Sequence, residues 1–295
     1  MTTPSAAPLE SLPARLPVEW QDRLATAVLH GQDDAVTIAD MCAAGFEEWF
    51  SRSALIVVRS MTERVQREAP ASLEDYQSDP VRLTIGARGR AADREIGVGF
   101  VLHNPNLVLL LDLLSPDECA KLIQWSTGKL RRSEVVDRVT GHVEISKVRT
   151  SEGTHFQRGE NAVVERIERR IAALTGLPVD HGEPLQILHY GTGGEYLPHH
   201  DYFDPNDAGS AAHLQHGGQR VASIVIYLND VAEGGGTVFP TLEMTVQARR
   251  GSAIYFDYGN ARGQLDTRCL HGGEPVSKGE KWIATKWLRQ RPYVR

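Results

Sequence analysis

The chain has 295 residues, enough to bury a substantial hydrophobic core in one large domain or in two. Hydrophobic residues make up 41% of it and charged residues 24%, which is typical of a globular protein. The formal net charge of −6, without a clustered basic patch, argues against a nucleic-acid partner, and no apolar run approaches the roughly 20 residues that span a bilayer.

Residues 1–17 are predicted to be a flexible N-terminus. They are rich in Pro, Ala and Ser and lack the basic-then-apolar layout of a secretory signal. The three cysteines are scattered, in no spacing that suggests a disulfide framework or a metal site: Cys42, Cys119 and Cys269. We therefore expect a cytoplasmic protein without a membrane partner.

Residues 18–70 are predicted to form a small helical module. A first helix ends at Gly31, Asp33 caps a second helix that reaches Ala43, and a third runs from Phe46 until Pro70 ends it. The aromatic residues of the third helix are expected to pack into a core, because amphipathic faces usually do. The alternative is a docking surface for a partner protein.

Residues 71–104 carry several glycines and arginines and are predicted as a linker with room for short strands. The second domain, residues 105–295, is predicted to open with a buried strand at Val108–Leu111. Ser115 then caps a helix and Glu118 completes a capping box, and a second helix is predicted at Gly159–Thr175.

Beyond Pro184 the apolar period changes to that of strands, and residues 184–290 form the predicted core of this domain. The expected strands are Gln186–Tyr190, Val221–Leu228, Thr237–Phe239, Met244–Ala248, Ser252–Asp257, Cys269–Gly272 and Trp282–Leu288. Many short strands with glycine-rich turns favour a sandwich or barrel.

Two histidines and an aspartate in this core have the chemistry of a metal site. In an extended strand His199 and Asp201 point the same way and His200 points opposite, while His271 supplies a distant third ligand. Two imidazoles and one carboxylate leave octahedral positions open, as in non-haem Fe(II) oxygenases. A structural zinc site would instead want four protein ligands, usually including cysteine.

Longer motifs surround these ligands. They are Tyr190–Phe203 (YGTGGEYLPHHDYF), Arg220, Tyr227–Asp230 (YLND), Glu233–Pro240 (EGGGTVFP), Gly251–Phe256 (GSAIYF), Leu270–Val276 (LHGGEPV), Lys278–Trp282 (KGEKW) and Thr285–Trp287 (TKW). Over roughly the last two hundred residues the chain resembles the prolyl 4-hydroxylase family of Fe(II)/2-oxoglutarate dioxygenases. It departs from the family at Gly236, where Glu is common, and at His189 and His200.

The resemblance implies an α+β fold: a double-stranded β-helix, or jelly roll, with supporting helices, preceded by the helical module. It implies that His199, Asp201 and His271 hold Fe(II). It also implies that 2-oxoglutarate binds through the charge of Lys281, assisted by the residues Tyr190 and Thr237. Dioxygen is the second co-substrate, and L-ascorbate is the expected reductant.

The implied reaction converts 2-oxoglutarate to succinate and carbon dioxide and hydroxylates an unactivated C–H bond. Asp201 favours hydroxylation over halogenation, because halogenating relatives leave that coordination position to a halide. The expected substrate is a proline in a peptide or protein, contacted by Arg220 and Trp287. Arg220 has an alternative role, as an anchor of the barrel through a carboxylate.

Two long loops, Arg131–Val148 and Asp204–Gln219, are predicted to close over the substrate. Two further functions stay open from the sequence. One is hydroxylation of a free amino acid or another small metabolite, and the other is a non-catalytic barrel that binds a metal or ligand.

Overall fold

A computed structural model describes residues 16–66, 76–83, 88–133, 135–136, 143–144 and 149–294. Within these ranges the α-helices are α1 Val18–Leu29, α2 Asp34–Ala43, α3 Glu48–Gln66, α4 Pro116–Thr127, α5 Ala162–Thr175 and α6 Ser210–Gln215. The strands before the predicted core are β1 Arg88–Ala91, β2 Arg94–His103, β3 Asn106–Leu111, β4 Arg131–Arg132, β5 Val135–Val136, β6 Val143–Glu144 and β7 Glu152–Phe156. The strands within it are β8 Leu185–Tyr190, β9 Tyr196–His199, β10 Arg220–Tyr227, β11 Glu233–Gly234, β12 Thr237–Phe239, β13 Met244–Val246, β14 Ala253–Asp257, β15 His271–Gly273, β16 Val276–Lys278 and β17 Lys281–Arg289.

The strands form two main antiparallel sheets. The larger has nine strands in the order β1-β2-β3-β14-β10-β17-β8-β7-β4, and the smaller has four in the order β13-β12-β15-β9. Several neighbours in the sheets are distant in sequence, among them β3 with β14 and β9 with β15, as a jelly roll requires. The predicted fold, a jelly-roll core with supporting helices after an N-terminal helical module, is confirmed.

The central strands of the large sheet are buried on both faces, and their two-residue period separates the two cores. On β10, Ile224 and Ile226 belong to the core that also contains α4 and α5. Val225 and Tyr227 belong to the core between the sheets. Side chains of the second set line the barrel interior, where the candidate site lies.

Helices α4 and α5 are fixed to the large sheet by caps and buried charges. Ser115 and Glu118 form the predicted capping box at the start of α4. The Glu118 carboxylate also accepts hydrogen bonds from Arg170 of α5, and Arg170 donates at the same time to Asp93. The pairing satisfies a guanidinium that is almost fully buried, which would otherwise be costly.

The N-terminal helices cover the outer face of the small sheet. Trp49 and Phe50 of α3 share one hydrophobic cluster with Leu197 of β9 and Val238 of β12. Arg52 adds a 2.9 Å ion pair to Glu195, just before β9. The prediction that the aromatic residues pack into a core is confirmed, as are the first two helices, but Pro70 lies outside the described residues.

The segment 71–104, predicted as a linker with room for short strands, contains the strands β1 and β2. Strand β2 pairs with β1 on one side and with β3 on the other, so this segment extends the large sheet. Gly97 and Gly99 lie under side chains of β3, where an added Cβ would meet Leu111 at 3.3 Å and Leu109 at 2.8 Å. These glycines therefore allow close strand packing instead of breaking the segment.

Smaller differences concern element ends. The segment predicted as a strand from Cys269 starts with a short 3-10 helix at Thr267–Cys269, and the strand begins at His271. None of the helices in the described part of the chain is long and apolar enough to cross a bilayer.

Candidate active site

The register of the small sheet brings the two predicted histidine ligands together. His271 of β15 lies directly opposite His199 of β9, although the two are 72 positions apart in the sequence. The register shifts between this pair and the next, Gly273 with Tyr196, so β9 contains a bulge at Leu197 and Pro198. Tyr196 and His199 therefore both face the barrel interior, and Leu197 faces the N-terminal helices.

Asp201 joins the histidines from a bend just after β9. Strand alternation was predicted to align His199 with Asp201. The two residues do lie together, but alternation is not the cause, because β9 ends at His199 and Asp201 lies in the bend that follows. His200 lies outside the group and donates a hydrogen bond from its Nε2 to the Thr267 carbonyl, 3.0 Å away. It was predicted to point away from the ligands.

The three side chains are close enough to share one ion. Ligand atoms of His199, Asp201 and His271 all lie within 4.8 Å of one another. The Asp201 carboxylate oxygens are 3.5 Å from Nε2 of His199 and 3.6 Å from Nε2 of His271. Asp201 and His271 are buried, and His199 is partly exposed.

Backbone carbonyls fix which nitrogen of each imidazole faces the cluster. Nδ1 of His199 is 2.9 Å from the Leu197 carbonyl, and Nδ1 of His271 is 3.1 Å from the Cys269 carbonyl. A carbonyl can only accept, so each Nδ1 carries the proton and each neutral ring keeps a lone pair on Nε2. Hydrogen bonds of this kind to backbone carbonyls fix the orientation of metal-binding histidines in proteins.

The charges of the cluster also suit a cation. Burial lowers the pKa of His271 to about 4, outweighing the opposing effect of Asp201, so this ring is neutral near pH 7. Burial by itself raises the pKa of Asp201, but the adjacent histidines and Arg220 outweigh it and hold that pKa well below its usual range. Neutral imidazoles and an ionised carboxylate are the forms that bind metals. The set therefore fits Fe(II).

Lys281, the predicted partner of the far 2-oxoglutarate carboxylate, lies inside the barrel. It stands opposite Tyr190 in the pairing of β17 with β8, with its Nζ 5.8 Å from the Tyr190 ring centre. Only 3% of Lys281 is exposed, and its Nζ donates a long hydrogen bond of 3.5 Å to the Gly236 carbonyl. Burial lowers its pKa to about 8, and the charge of Glu274 offsets only part of this effect.

Thr237 and Gly236 lie on the small sheet beside this lysine. The Thr237 hydroxyl accepts a 2.9 Å hydrogen bond from Tyr227. A Cβ at Gly236 would lie 2.6 Å from Oε2 of Glu274 and 2.5 Å from Cγ2 of Thr245. The glutamate that the family commonly has at position 236 would collide here, and Glu274 brings a carboxylate to the same place from another strand end.

Arg220 and Trp287, the predicted substrate contacts, lie together beside the metal-binding cluster. The Arg220 guanidinium is 3.9 Å from the Trp287 ring centre and makes two hydrogen bonds, of 2.7 and 3.0 Å, to the Glu183 carboxylate. It also donates to the main-chain oxygen of Asp201, at 3.1 Å. The geometry thus favours the alternative role as an anchor, and substrate contact stays a prediction.

The two predicted lids differ in how much of them can be placed. Most of Arg131–Val148 lies outside the described residues, although Val135–Val136 pairs with Val143–Glu144. Asp204–Gln219 is partly helical, because it contains α6, and Gln219 is hydrogen-bonded to both main-chain groups of Phe203. Lid closure stays a prediction for both.

Sequence reasoning missed three residues that support the cluster. Ser223 and Tyr258 form a hydrogen-bonded chain to Asp201, and Glu183 neutralises Arg220. A serine inside the apolar strand Val221–Tyr227 is a signal that could have been noticed. Nothing in the sequence around Glu183 points to its pairing, which depends on the meeting of β10 and β17.

Comparisons with known proteins agree with the geometry. The model of the 2OG-Fe(II) oxygenase superfamily matches residues 185–289. Over 248 residues the chain is 37% identical to "Probable prolyl 4-hydroxylase 3" of Arabidopsis thaliana, covering 75% of this chain and 84% of that protein. It is 40% identical over 207 residues to prolyl 4-hydroxylase 1 of the same plant, covering 65% of this chain and 71% of the relative.

Among solved structures, a viral collagen prolyl hydroxylase of Paramecium Bursaria Chlorella virus-1, in its 2OG complex, is similar with a TM-score of 0.49 and 29% identity, covering 62% of this chain and 95% of that one. The resemblance first seen in the sequence motifs is confirmed by the superfamily match and the plant relatives. The chain belongs to the prolyl 4-hydroxylase family of Fe(II)/2-oxoglutarate-dependent dioxygenases.

Proposed function

We propose that the chain hydroxylates C4 of a prolyl residue in a peptide or protein, consuming 2-oxoglutarate and dioxygen and releasing succinate and carbon dioxide. The observation that carries the proposal is the spacing between His271 and the charge of Lys281. An ideal Cβ on Gly273, two residues after His271, would be 3.7 Å from Nζ of Lys281. Two residues of a strand span about 7 Å, a length comparable with a five-carbon dicarboxylate.

Each end of that co-substrate would meet suitable groups. His199, Asp201 and His271 would hold Fe(II), which when bound supplies the electrons that activate dioxygen for oxidation of 2-oxoglutarate and of the substrate. Lys281 would pair with the far carboxylate, an interaction that is strong because the lysine is buried. Tyr190 and Thr237 lie on the strands facing it and supply hydroxyl groups.

The chain contributes orientation and exclusion of water rather than acid–base chemistry. The core between the sheets surrounds the cluster with apolar side chains, among them Phe239 and Phe256, whose ring centres are 5.8 and 4.7 Å from that of His271. Such a lining keeps the reacting centre dry and leaves the partly exposed His199 on the accessible side.

A peptide substrate is supported by the names of the plant relatives and by a cavity next to the cluster. This cavity, of about 360 Å³, has Trp287, Glu183, His155 and Arg158 among its lining residues. The polar side chains of Glu183, His155 and Arg158 in this lining would be available to hydrogen-bond the main chain of an extended peptide.

The test combines binding and turnover. Anaerobic addition of Fe(II) and 2-oxoglutarate to the native chain is expected to give a visible charge-transfer band, which His199→Ala abolishes and His200→Ala, changed at the neighbouring position, keeps. A proline-rich peptide is expected to gain one oxygen atom by mass spectrometry, with one succinate released for each hydroxylated residue.

Other outcomes would redirect the proposal. Hydroxylation of free proline but not of the peptide would favour a small-molecule hydroxylase. A band without succinate release under air would favour a binding barrel. Absence of the band in the native chain would remove the enzymatic proposal.

Two further parts of the proposal concern the surroundings of the reaction. L-Ascorbate is proposed as the reductant that restores Fe(II), and the expected result is more turnovers per active site when ascorbate is present.

A cytoplasmic location is proposed, supported by Cys42, Cys119 and Cys269 all being free thiols. Fractionation of the native cells tests it.

A further inference from the structure

One hydroxyl group in the barrel contacts the predicted metal ligands without being one of them. Ser223 is fully buried on β10, among apolar residues, and its side chain faces the core between the sheets. Its Oγ is 2.6 Å from Oδ2 of Asp201, a short hydrogen bond of the kind formed with ionised carboxylates.

The direction of the hydrogen bonds follows from the donors available. An ionised carboxylate can only accept, so the single Ser223 proton is directed to Asp201. The Tyr258 hydroxyl, 3.1 Å from the same Oγ, must then donate its own proton to Ser223. The result is a chain from Tyr258 through Ser223 to Asp201, in which each bond polarises the next.

Asp201 has few other restraints on its side chain. It lies in a bend after β9, outside the hydrogen-bond ladder of the strands, and Arg220 holds only its main-chain oxygen. The two carboxylate oxygens lie at similar distances from the imidazoles, Oδ1 at 3.5 Å from Nε2 of His199 and Oδ2 at 3.6 Å from Nε2 of His271, and the hydrogen bond from Ser223 engages only Oδ2.

We propose that Ser223, held by Tyr258, is a positioning residue that orients the Asp201 carboxylate for metal binding through a single oxygen. This rests on the proposed function, in which 2-oxoglutarate and dioxygen need the remaining coordination positions. A carboxylate free to turn and offer both oxygens would take one of those positions. Ser223 therefore keeps coordination positions on the metal free for 2-oxoglutarate and dioxygen, and it also increases the affinity for the metal.

The test measures metal affinity in the full chain, without turnover. Titration with Co(II), followed by its visible absorption, is expected to give a Kd about 10–100-fold weaker for Ser223→Ala, the usual effect of removing a partner of a metal ligand. The shape of the Co(II) bands is also expected to change, since the number of coordinating oxygens changes. Ser252→Ala is the matched control, because its buried hydroxyl bonds to the Arg249 carbonyl instead.

Tyr258→Phe provides a second, milder test that keeps the aromatic ring. It is expected to weaken Co(II) binding severalfold in the native background and not at all in Ser223→Ala, because Tyr258 acts through Ser223. If Ser223→Ala does not fold, Tyr258→Phe alone carries the test.

The proposal would be overturned if folded Ser223→Ala bound Co(II) with the native affinity and the native absorption bands. If Ser223→Ala does not fold, native Co(II) affinity in Tyr258→Phe would overturn it. Failure of the proposed function would look different, because the native chain itself would then bind no metal, before any variant is made.

Discussion

Replacing Lys281 with methionine is expected to stabilise the metal-free protein while abolishing 2-oxoglutarate binding. Among the described residues no carboxylate is within ion-pair distance of its buried ammonium group. Its pKa falls from 10.5 to about 8, and the shift corresponds to about 3 kcal/mol of lost stability when the group is charged. Methionine has a similar length and no charge, so most of that loss should be recovered.

The pH dependence has a definite sign. The folded protein releases the Lys281 proton near pH 8 and the unfolded chain only near pH 10.5, so the unfolded chain binds more protons between these values. Stability therefore rises with pH across this window. The advantage of Lys281→Met should be full at pH 7 and shrink to about 1 kcal/mol at pH 9.5.

A second buried lysine on the same strand provides the control. Lys286 bonds to the Glu168 carboxylate at 2.5 Å, and both side chains are almost fully buried. Removing one member of such a pair leaves an uncompensated charge, which costs about 3–5 kcal/mol. Lys286→Met is thus expected to destabilise where Lys281→Met stabilises.

Urea unfolding of the three proteins at pH 7 and pH 9.5, without metal, measures these differences. Calorimetric titration of the Fe(II)-loaded proteins with 2-oxoglutarate under anaerobic conditions checks the loss of binding. A Lys281→Met protein less stable than native at pH 7, or an advantage that does not change with pH, would refute the assignment of Lys281 as an unpaired buried cation.

Three further predictions follow from the same structure. The Kd of the native protein for 2-oxoglutarate should be flat below pH 8 and weaken by up to tenfold per pH unit above it, because Lys281 loses its charge; anaerobic titration over pH 6.5–9.5 checks this. Gly272→Ala should weaken Co(II) binding by about tenfold, because the added Cβ would lie 2.9 Å from the Tyr196 carbonyl and push β15 away from β9. Gly128→Ala is the control and should leave Co(II) binding unchanged, because the space around Gly128 is open. Burial raises the pKa of Asp257 to about 6, above its unfolded value of 3.8. The stability of the native protein relative to Asp257→Asn should therefore increase by about 1 kcal/mol from pH 7 to pH 5, measured by urea titration. A stability difference that is the same at both pH values would contradict this prediction.

Much of the fold could be predicted because local signals agreed with the tertiary structure. The alternation of apolar residues gave most strands of the core within a few residues, and Ser115 and Asp33 marked helix starts that the structure contains. The sequence could not assign residues 88–103 to the large sheet, because Gly97 and Gly99 resemble loop residues in sequence and serve close packing in the sheet.

The candidate site was predictable in its members but not in its construction. The grouping of His199, Asp201 and His271 follows from ligand types and motif spacing. The bulge that turns Tyr196 and His199 to one side follows from β9 pairing with β15, a contact between distant segments. For the same reason the sequence could not distinguish the two roles of Arg220, since its partner Glu183 lies 37 positions earlier.

Strand β9 ties two parts of the molecule that the sequence presents as separate. Leu197 is packed under Trp49 and Phe50, and His199, two residues later, faces the metal-binding cluster. Free-energy linkage then works in both directions: if the helices hold β9 in the shape that binds the ion, the ion must hold the helices in place by the same amount. The N-terminal module thus contributes to metal binding without contacting the ion, and the free energy of unfolding of its helices should report whether the metal site is occupied.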